Sequence, residues 1–198
     1  MNAAAAHLLV DRIARALAGR TPLLAERDEP FKEAAVALIL RPRADDDLDL
    51  LLIRRASRAG DPWSGQIGLP GGRFSEGDAS LEATALRETA EEVGLDLRAH
   101  GHVLGVLDEL RPRTAVLPPI IVRPYVCLLG QAPVLVLNDE VAEARWVALG
   151  ELFSPGMRVN TSVTVRDLRL RVDAYQHGDF TIWGMTERIL ADFEALWR

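Results

Sequence analysis

The run from Arg87 to Gly94, Arg-Glu-Thr-Ala-Glu-Glu-Val-Gly, places three carboxylates at the C-terminal end of a predicted helix. A helix ends in unpaired carbonyl groups and a partial negative charge, so Glu88, Glu91 and Glu92 are electrostatically unfavourable there. A divalent cation bound by the three side chains would remove this conflict. Gly94 can adopt the left-handed conformation that stops a helix. The run therefore predicts a helix that ends in a metal site.

Helical spacing separates the three glutamates from an apolar face. At about 100° per residue the glutamates fall within one arc. The small and apolar residues on the opposite side are Ala79, Ala83, Leu86, Ala90 and Val93. This pattern predicts that one face of the helix packs and the other coordinates a metal.

A tight turn precedes the helix. The sequence Leu-Pro-Gly-Gly at 69–72 follows an apolar segment, and its small residues let the backbone approach a ligand or offer a carbonyl oxygen to a metal. Carboxylate and backbone oxygens suit Mg²⁺ or Mn²⁺, which also bind through the phosphates of a substrate. Strand, turn and helix together indicate phosphoryl chemistry.

These residues resemble the Nudix box, which runs G-x5-E-x7-R-E-U-x-E-E-x-G-U, with U a bulky apolar residue. The matching residues are Gly72, Arg87, Glu88, Glu91, Glu92, Gly94 and Leu95. The chain departs from the box in three ways. Asp78 replaces the first glutamate, one extra residue separates Asp78 from Arg87, and Thr89 stands where an apolar residue is usual.

The departures are similar to the coenzyme A pyrophosphatase-like branch of the family, which reads D-x-S-x-x-x-T-A-L-R-E. That spacing is reproduced by Asp78, Ser80, Thr84, Ala85, Leu86, Arg87 and Glu88. The upstream signature of the branch, L-L-T-x-R-[SA]-x3-R-x3-G-x3-F-P-G-G, is matched only in part. The chain carries one residue more between Ala56 and Gly65, has Gly60 at the position of the signature arginine, and reads Asp-Pro-Trp-Ser at 61–64. The resemblance covers roughly residues 34 to 190 and includes Ile-Trp-Gly at 182–184.

The resemblance implies an α/β fold, a Nudix-type α/β/α sandwich with a mixed sheet. We expect residues 1–198 to form a single domain, with 1–30 as an N-terminal helical extension and 34–190 as the core. The implied activity is a Mg²⁺- or Mn²⁺-dependent pyrophosphohydrolase, and the resemblance is compatible with a homodimer.

Coenzyme A or an acyl derivative is the leading substrate that the resemblance implies, with 3′,5′-ADP and 4′-phosphopantetheine as products. Because the segment at 60–64 departs from the branch signature, ADP-ribose, a nucleotide sugar or a dinucleoside polyphosphate stays an alternative substrate. An alternative from another class is a non-catalytic nucleotide sensor on a Nudix scaffold. The complete set of glutamates favours the enzyme.

The resemblance also assigns roles within the site. The expected metal ligands are Glu88, Glu91, Glu92 and the backbone carbonyl of Gly72. Arg87 is expected to orient a glutamate, since Glu91 lies one helical turn away. A general base from outside the box could be Glu140 or Glu143, and Glu140 is preferred because it is predicted to lie in a loop.

Arginines and one tryptophan are the candidates for contact with substrate. They are Arg55, Arg58, Trp63, Arg111 and Arg113. Adjacent residues on a strand point to opposite faces, so Arg55 is preferred to its neighbour Arg54. Trp63 could stack on an adenine or serve as a packing anchor. The two arginines that flank a proline, at 111 and 113, could bind phosphate or lie on an exposed turn.

Composition excludes other classes of protein. The net charge of −6 argues against a broad nucleic-acid surface. The lone Cys127 lies in an apolar run, which excludes a disulfide framework and suits a reducing, cytoplasmic setting. The first twenty residues favour an amphipathic helix over a signal peptide, and no segment suggests attachment to a membrane.

Patterns of β-branched and apolar residues predict the remaining elements. The predicted strands are 34–40, 48–54, 66–69, 102–107, 120–129, 134–137, 142–147, 162–172 and 180–183. A short helical stretch is predicted at 149–153 and a closing helix at 185–197.

Overall fold

The computed structural model describes residues 3–60, 63–112, 119–130, 134–165 and 168–198. The helices of this part of the chain are α1 (Ala3–Ala18), α2 (Leu81–Val93), α3 (Leu97–His100), α4 (Leu149–Leu152) and α5 (Met185–Trp197). The strands are β1 (Lys32–Pro42), β2 (Leu48–Arg55), β3 (Ile67–Gly68), β4 (Gly71–Arg73), β5 (Gly101–Val106), β6 (Ile120–Leu129), β7 (Val141–Ala148), β8 (Arg158–Val165), β9 (Leu168–His177) and β10 (Phe180–Trp183).

A mixed sheet forms the centre of the molecule. Its main path runs β3-β2-β1-β6-β5, with β7 paired to β2. Strands β1 and β6 are parallel, and the other pairs in the sheet are antiparallel. The short β4 pairs with the first part of β1, whereas β2 pairs with its last part. The sheet therefore divides beside the middle of β1, next to the turn at 69–72.

The side chains of β1 alternate between two helical layers, as the period of a strand requires. Leu38 and Leu40 pack in one apolar cluster with residues of α1 and α5. Ala37 and Ile39 belong to a second cluster on the other face, together with residues of α2. Helices thus cover both faces of a mixed sheet, and the predicted α/β/α sandwich is confirmed.

Helix α2 ends at Gly94, as the sequence predicts, and begins after Ser80, so Ala79 lies before its first turn. The hydroxyl of Ser80 accepts a hydrogen bond from the Ala83 amide at the N-terminus, and Gly94 closes the helix with a φ of 68°. The predicted apolar face is wrong in part, because Ala79 and Ala90 are exposed. The buried positions of the helix are Leu81, Thr84, Ala85, Thr89, Glu92 and Val93. The helix is rotated relative to the prediction, and Glu92 turns towards the protein interior.

The predictions of strands at 134–137 and 162–172 are wrong. Residues 134–137 are not a strand. The Val136 amide instead donates to the Val93 carbonyl, and the Asn138 amide donates to the Glu92 carbonyl. This segment therefore satisfies carbonyls that α2 leaves unpaired at its end.

The single strand predicted at 162–172 is two antiparallel strands, β8 and β9. The sequence between Val163 and Leu170 contains no glycine or proline, so its pattern carries no break. With β10 these strands form a second, three-stranded sheet.

The prediction is accurate for β6, β10 and α5, whose bounds match the sequence patterns. In the described part of the chain, none of the helices has the length and hydropathy needed to span a lipid bilayer.

Candidate functional site

A cavity of about 730 Å³ opens where β4 and β2 separate along β1. Its lining includes most of the residues that the sequence nominates. They are Gly72, Glu88, Glu91, Glu92, Arg55, Arg58, Trp63 and Glu140. The structure therefore brings together the end of the box helix, the turn before it, and the side chains of Arg55, Arg58, Trp63 and Glu140.

Two glycines let the backbone at 71–72 lie close to its neighbours. Gly71 has a φ of 151°, and a β-carbon there would come within 2.3 Å of the Ala35 carbonyl oxygen. At Gly72 a β-carbon would come within 2.3 Å of the carboxyl carbon of Glu88. The absence of a side chain at 72 thus lets a carboxylate from α2 rest against the strand.

Glu92 is the most buried carboxylate of the cavity, with 2% of its side chain exposed. It accepts a hydrogen bond of 2.9 Å from the Gly71 amide, and the Arg55 guanidinium lies 3.7 Å away. Burial raises the pKa of Glu92 to about 7, and the neighbouring charges of Glu88 and Glu140 act in the same direction. The local contacts only partly offset the cost of burying this charge.

The carboxylate of Glu88 has a raised pKa for the same reasons as that of Glu92. Burial raises its pKa, the guanidinium of Arg87 opposes the increase, and the charges of Glu91 and Glu140 reinforce it. Glu91 is more open, with 55% of its side chain exposed, and its carboxylate lies 3.0 Å from Arg87. These carboxylates repel each other across one cavity.

Arg87 links the helix to the loop before it. Its guanidinium makes two hydrogen bonds, of 2.8 and 2.9 Å, to the carboxylate of Asp78 and also contacts Glu88 and Glu91. Asp78 accepts further bonds from the Thr84 hydroxyl and the Ser75 amide. Hydrogen bonding to Arg87 lowers the pKa of Asp78 well below its usual range. Asp78, which departs from the box, is therefore the partner that fixes Arg87.

The two acidic residues proposed as a general base occupy different places. Glu140 lines the cavity, and its carboxylate lies 3.0 Å from the guanidinium of Arg58. Glu143 lies on β7 and pairs with Arg54 and Arg145, outside the cavity lining. The geometry favours Glu140, as the loop argument predicts.

Arg111 lies outside the cavity lining, so the structure does not support the predicted contact with substrate. Its guanidinium binds the carboxylates of Asp28 and Glu29 and the carbonyl oxygen of Glu26. Only 10% of the Arg111 side chain is exposed. It anchors the segment that connects α1 to β1. Arg113, the second arginine of this pair, falls outside the described residues.

The cavity lining also includes polar residues that the sequence did not nominate, among them Arg73 and Asn138. Arg73 follows the glycine pair on β4 and is directly opposite Ala34 on β1. The position of Arg73 immediately after Gly72 is the sequence feature that could have identified it as a cavity residue. The side-chain oxygen of Asn138 accepts a hydrogen bond from the backbone amide of Glu140. The backbone amide of Asn138 donates to the Glu92 carbonyl at the end of α2.

The donor set suits a hard divalent cation. Four carboxylates, at 88, 91, 92 and 140, line one cavity, and the pKa values of two of them are raised by burial and mutual repulsion. A cation among them would relieve both effects. In the described residues, no three acidic, histidine or cysteine side chains already surround a common point at coordinating distance. Glu88 and Glu91 both contact Arg87 instead.

Comparison with known proteins agrees with the fold. An uncharacterised protein of Schizosaccharomyces pombe is 37% identical over 145 residues, covering 64% of this chain and 44% of that protein. A peroxisomal coenzyme A diphosphatase of Caenorhabditis elegans, ndx-8, is 30% identical over 158 residues, covering 78% and 64%. An uncharacterised Nudix hydrolase, NudL of Photorhabdus laumondii, is 34% identical over 155 residues, covering 78% of this chain and 80% of that protein.

The first two relatives are longer proteins, and this chain spans less than two thirds of each. Among solved structures, a MutT/nudix family protein of Enterococcus faecalis matches with a TM-score of 0.58 at 23% identity, over 87% of this chain and 64% of that one. This likeness supports the fold. A family model of the NUDIX domain matches residues 30–168, which include the box helix, the glycine pair and Glu140. The chain belongs to the Nudix family.

Proposed function

We propose that this protein hydrolyses the pyrophosphate bond of a nucleoside diphosphate derivative in a reaction that depends on a divalent metal ion. The observation that carries the proposal is the arrangement of Glu88 and Glu92 beside Gly71 and Gly72 in an open cavity. Nudix hydrolases generally need divalent metal ions. The buried carboxylates and the raised pKa of Glu92 suit that requirement.

The residues that would hold the metal are Glu88, Glu91, Glu92 and the carbonyl of Gly72, and the ion is Mg²⁺ or Mn²⁺. When bound, such an ion neutralises charge on phosphate oxygens and makes water more acidic. Arg87 positions Glu88 and Glu91 through its guanidinium, which Asp78 holds in turn. These contacts hold two of the proposed ligands next to Arg87 at the cavity.

Glu140 is the proposed general base. It lies on the same cavity as Glu88 and Glu92, at the end of a loop that the Asn138 side chain caps. In this role its carboxylate takes the proton from the attacking water. The guanidinium of Arg58, 3.0 Å away, holds the carboxylate in place.

Positive and aromatic side chains on the cavity wall are the proposed contacts for the substrate. Arg55 lies beside Glu92 and is the proposed partner of a phosphate oxygen, and the ring of Trp63 is the proposed stacking partner of an adenine. Arg58 is the third proposed contact, although its guanidinium also pairs with Asp139.

Coenzyme A or an acyl derivative is the proposed substrate. The support is the similarity to the protein named as a coenzyme A diphosphatase in C. elegans and the branch-like spacing from Asp78 to Glu88. The products would be 3′,5′-ADP and 4′-phosphopantetheine or its acyl form. A cytoplasmic location and a homodimer stay predictions.

Product analysis by mass spectrometry tests the proposal. The purified protein is incubated with Mg²⁺ or Mn²⁺ and, separately, with coenzyme A, ADP-ribose, NADH, nucleotide sugars and diadenosine polyphosphates. We expect coenzyme A to give 3′,5′-ADP and 4′-phosphopantetheine fastest. Faster cleavage of another diphosphate would assign a different substrate and make the segment at 60–64 the first place to seek the cause. Tight binding without turnover of any compound would contradict the enzyme and support a sensor.

A further inference from the structure

The cavity continues from the carboxylates onto an apolar wall. Ala34 pairs with Arg73, one position along β1 from the pair formed by Ala35 and Gly72. Side chains alternate along a strand, so Ala34 faces away from α2. There it forms a small apolar cluster with Ile120 and Val122 of β6, against which Met185 at the start of α5 packs; all four line the cavity.

The hairpin β8–β9 supplies a second apolar wall to the same cavity. Val163 and Leu170 are directly paired across the two strands, and Val165 lies two residues further on the same face. Val165 and Leu170 both line the cavity. Leu170 keeps 40% of its surface exposed. The cavity is thus bordered by a leucine that the protein core leaves partly uncovered.

The size and chemistry of the cavity limit what this end can accept. A volume of about 730 Å³ is much larger than a diphosphate needs, and apolar residues line the cavity together with the carboxylates. Arg73 is the charged residue next to the apolar wall. Aliphatic side chains from β1, β6, β9 and α5 offer few partners for the hydroxyl groups of a sugar, whereas they suit an alkyl chain.

We propose that this apolar end is a specificity subsite, formed by Leu170 and Val165 on the hairpin and by Met185 with Ile120 and Val122 beneath, which binds an alkyl chain on the non-nucleotide half of the substrate. This inference rests on the proposed function in one respect, which is that the bond cleaved is the pyrophosphate bond. In this proposal, contact between the β8–β9 hairpin and the alkyl chain makes the length of that chain decide which diphosphate binds best. The diphosphates compared share the same nucleotide half.

Binding of compounds that lack the diphosphate tests this subsite without metal or turnover. Calorimetry in EDTA compares acetyl-, butyryl- and octanoyl-pantetheine. We expect the dissociation constant to fall about two- to fourfold for each methylene that becomes buried. The variant Leu170→Asp should remove this dependence on chain length, because it places a charge on the wall. Leu170→Met should retain it.

Leu24→Asp is the matched control, since Leu24 is 67% exposed and lies outside the cavity lining. It should bind all three compounds as the wild type does. A dissociation constant that does not change with chain length, the absence of binding at millimolar concentration, or an unchanged length dependence in Leu170→Asp would overturn the proposal.

Hydrolysis assays separate this inference from the proposed function. With Mn²⁺, we expect kcat/KM to rise from acetyl- to octanoyl-coenzyme A in the wild type, mainly through KM. Leu170→Asp should lose that trend, whereas the control Leu24→Asp should keep it. Hydrolysis of coenzyme A without any chain-length preference would overturn the subsite alone. Chain-length-dependent binding of the pantetheine compounds without hydrolysis would overturn the proposed function alone.

Discussion

The carboxylate of Glu88 lies against the α-carbon of Gly72, so closely that a β-carbon at position 72 would fall 2.3 Å from the Glu88 carboxyl carbon. Gly72→Ala should therefore displace Glu88 and leave Arg87 to hold it elsewhere. We expect metal-dependent turnover to fall by roughly 10- to 100-fold or more, the cost of disturbing the support of a metal ligand. Steady-state kinetics over a Mg²⁺ titration measure this. Gly77→Ala is the control, because among the described residues, apart from the chain neighbours of Gly77, none has an atom within 4 Å of the added carbon. Equal activity of both variants would remove Glu88 from the proposed ligand set.

Glu92→Gln separates the contribution of Glu92 to turnover from its effect on the stability of the fold. The glutamine retains the acceptor for the Gly71 amide and removes a charge that burial makes unfavourable. We expect thermal stability without metal to be unchanged or slightly higher, and turnover to fall by more than the roughly 10- to 100-fold typical of an outer-shell partner. Glu82→Gln, at an exposed position on the same helix, should leave turnover near the wild-type value. Wild-type turnover in Glu92→Gln would contradict its assignment as a ligand.

The local parts of the site could be predicted from the sequence, since strand, turn and helix are continuous between residues 67 and 94. The spacing of Gly72 and the glutamates fixes their convergence once the helix forms. The burial of Glu92 could not be predicted, because it depends on how α2 is rotated against the sheet. The role of Arg111 was also hidden, since its partners at 26–29 lie more than eighty residues earlier in the chain.

Arg111→Ala tests the correction to the predicted substrate contacts. The side chain binds Asp28 and Glu29 and lies outside the cavity lining, so its loss should loosen the N-terminal segment and leave catalysis in place. We expect a lower melting temperature and faster proteolysis between α1 and β1, with KM within about twofold of the wild type, the scale of a surface substitution remote from the site. A large increase in KM with unchanged stability would restore Arg111 as a substrate-binding residue.

Asp78→Asn tests the link between Asp78 and Arg87 through stability at different pH values. The lowered pKa of Asp78 means that its carboxylate stabilises the fold above the ordinary value of 3.8, and this contribution is lost as pH falls towards the folded-state pKa. We expect the variant to lose about 1.5–3 kcal/mol of unfolding free energy at pH 6–8, the scale of hydrogen bonds to a charged group. Urea denaturation should show this difference shrinking below pH 4. A difference that stays constant to pH 3 would exclude an ionised Asp78 as its source.

Glu140→Gln and Glu143→Gln form a matched pair for the general base. The two carboxylates are three residues apart, yet Glu140 lines the cavity beside Arg58, and Glu143 pairs with Arg54 and Arg145 away from it. If Glu140 takes a proton from water, its amide variant should lose about 10²- to 10⁴-fold in kcat with little change in KM. The Glu143 variant should retain kcat and lose some thermal stability, because two arginines lose part of their ion pairs. Stopped-flow kinetics at saturating substrate compare the two. A fall in kcat confined to Glu143→Gln would make Glu143 on β7 the general base. A wild-type kcat in both variants would place the general base among the box glutamates.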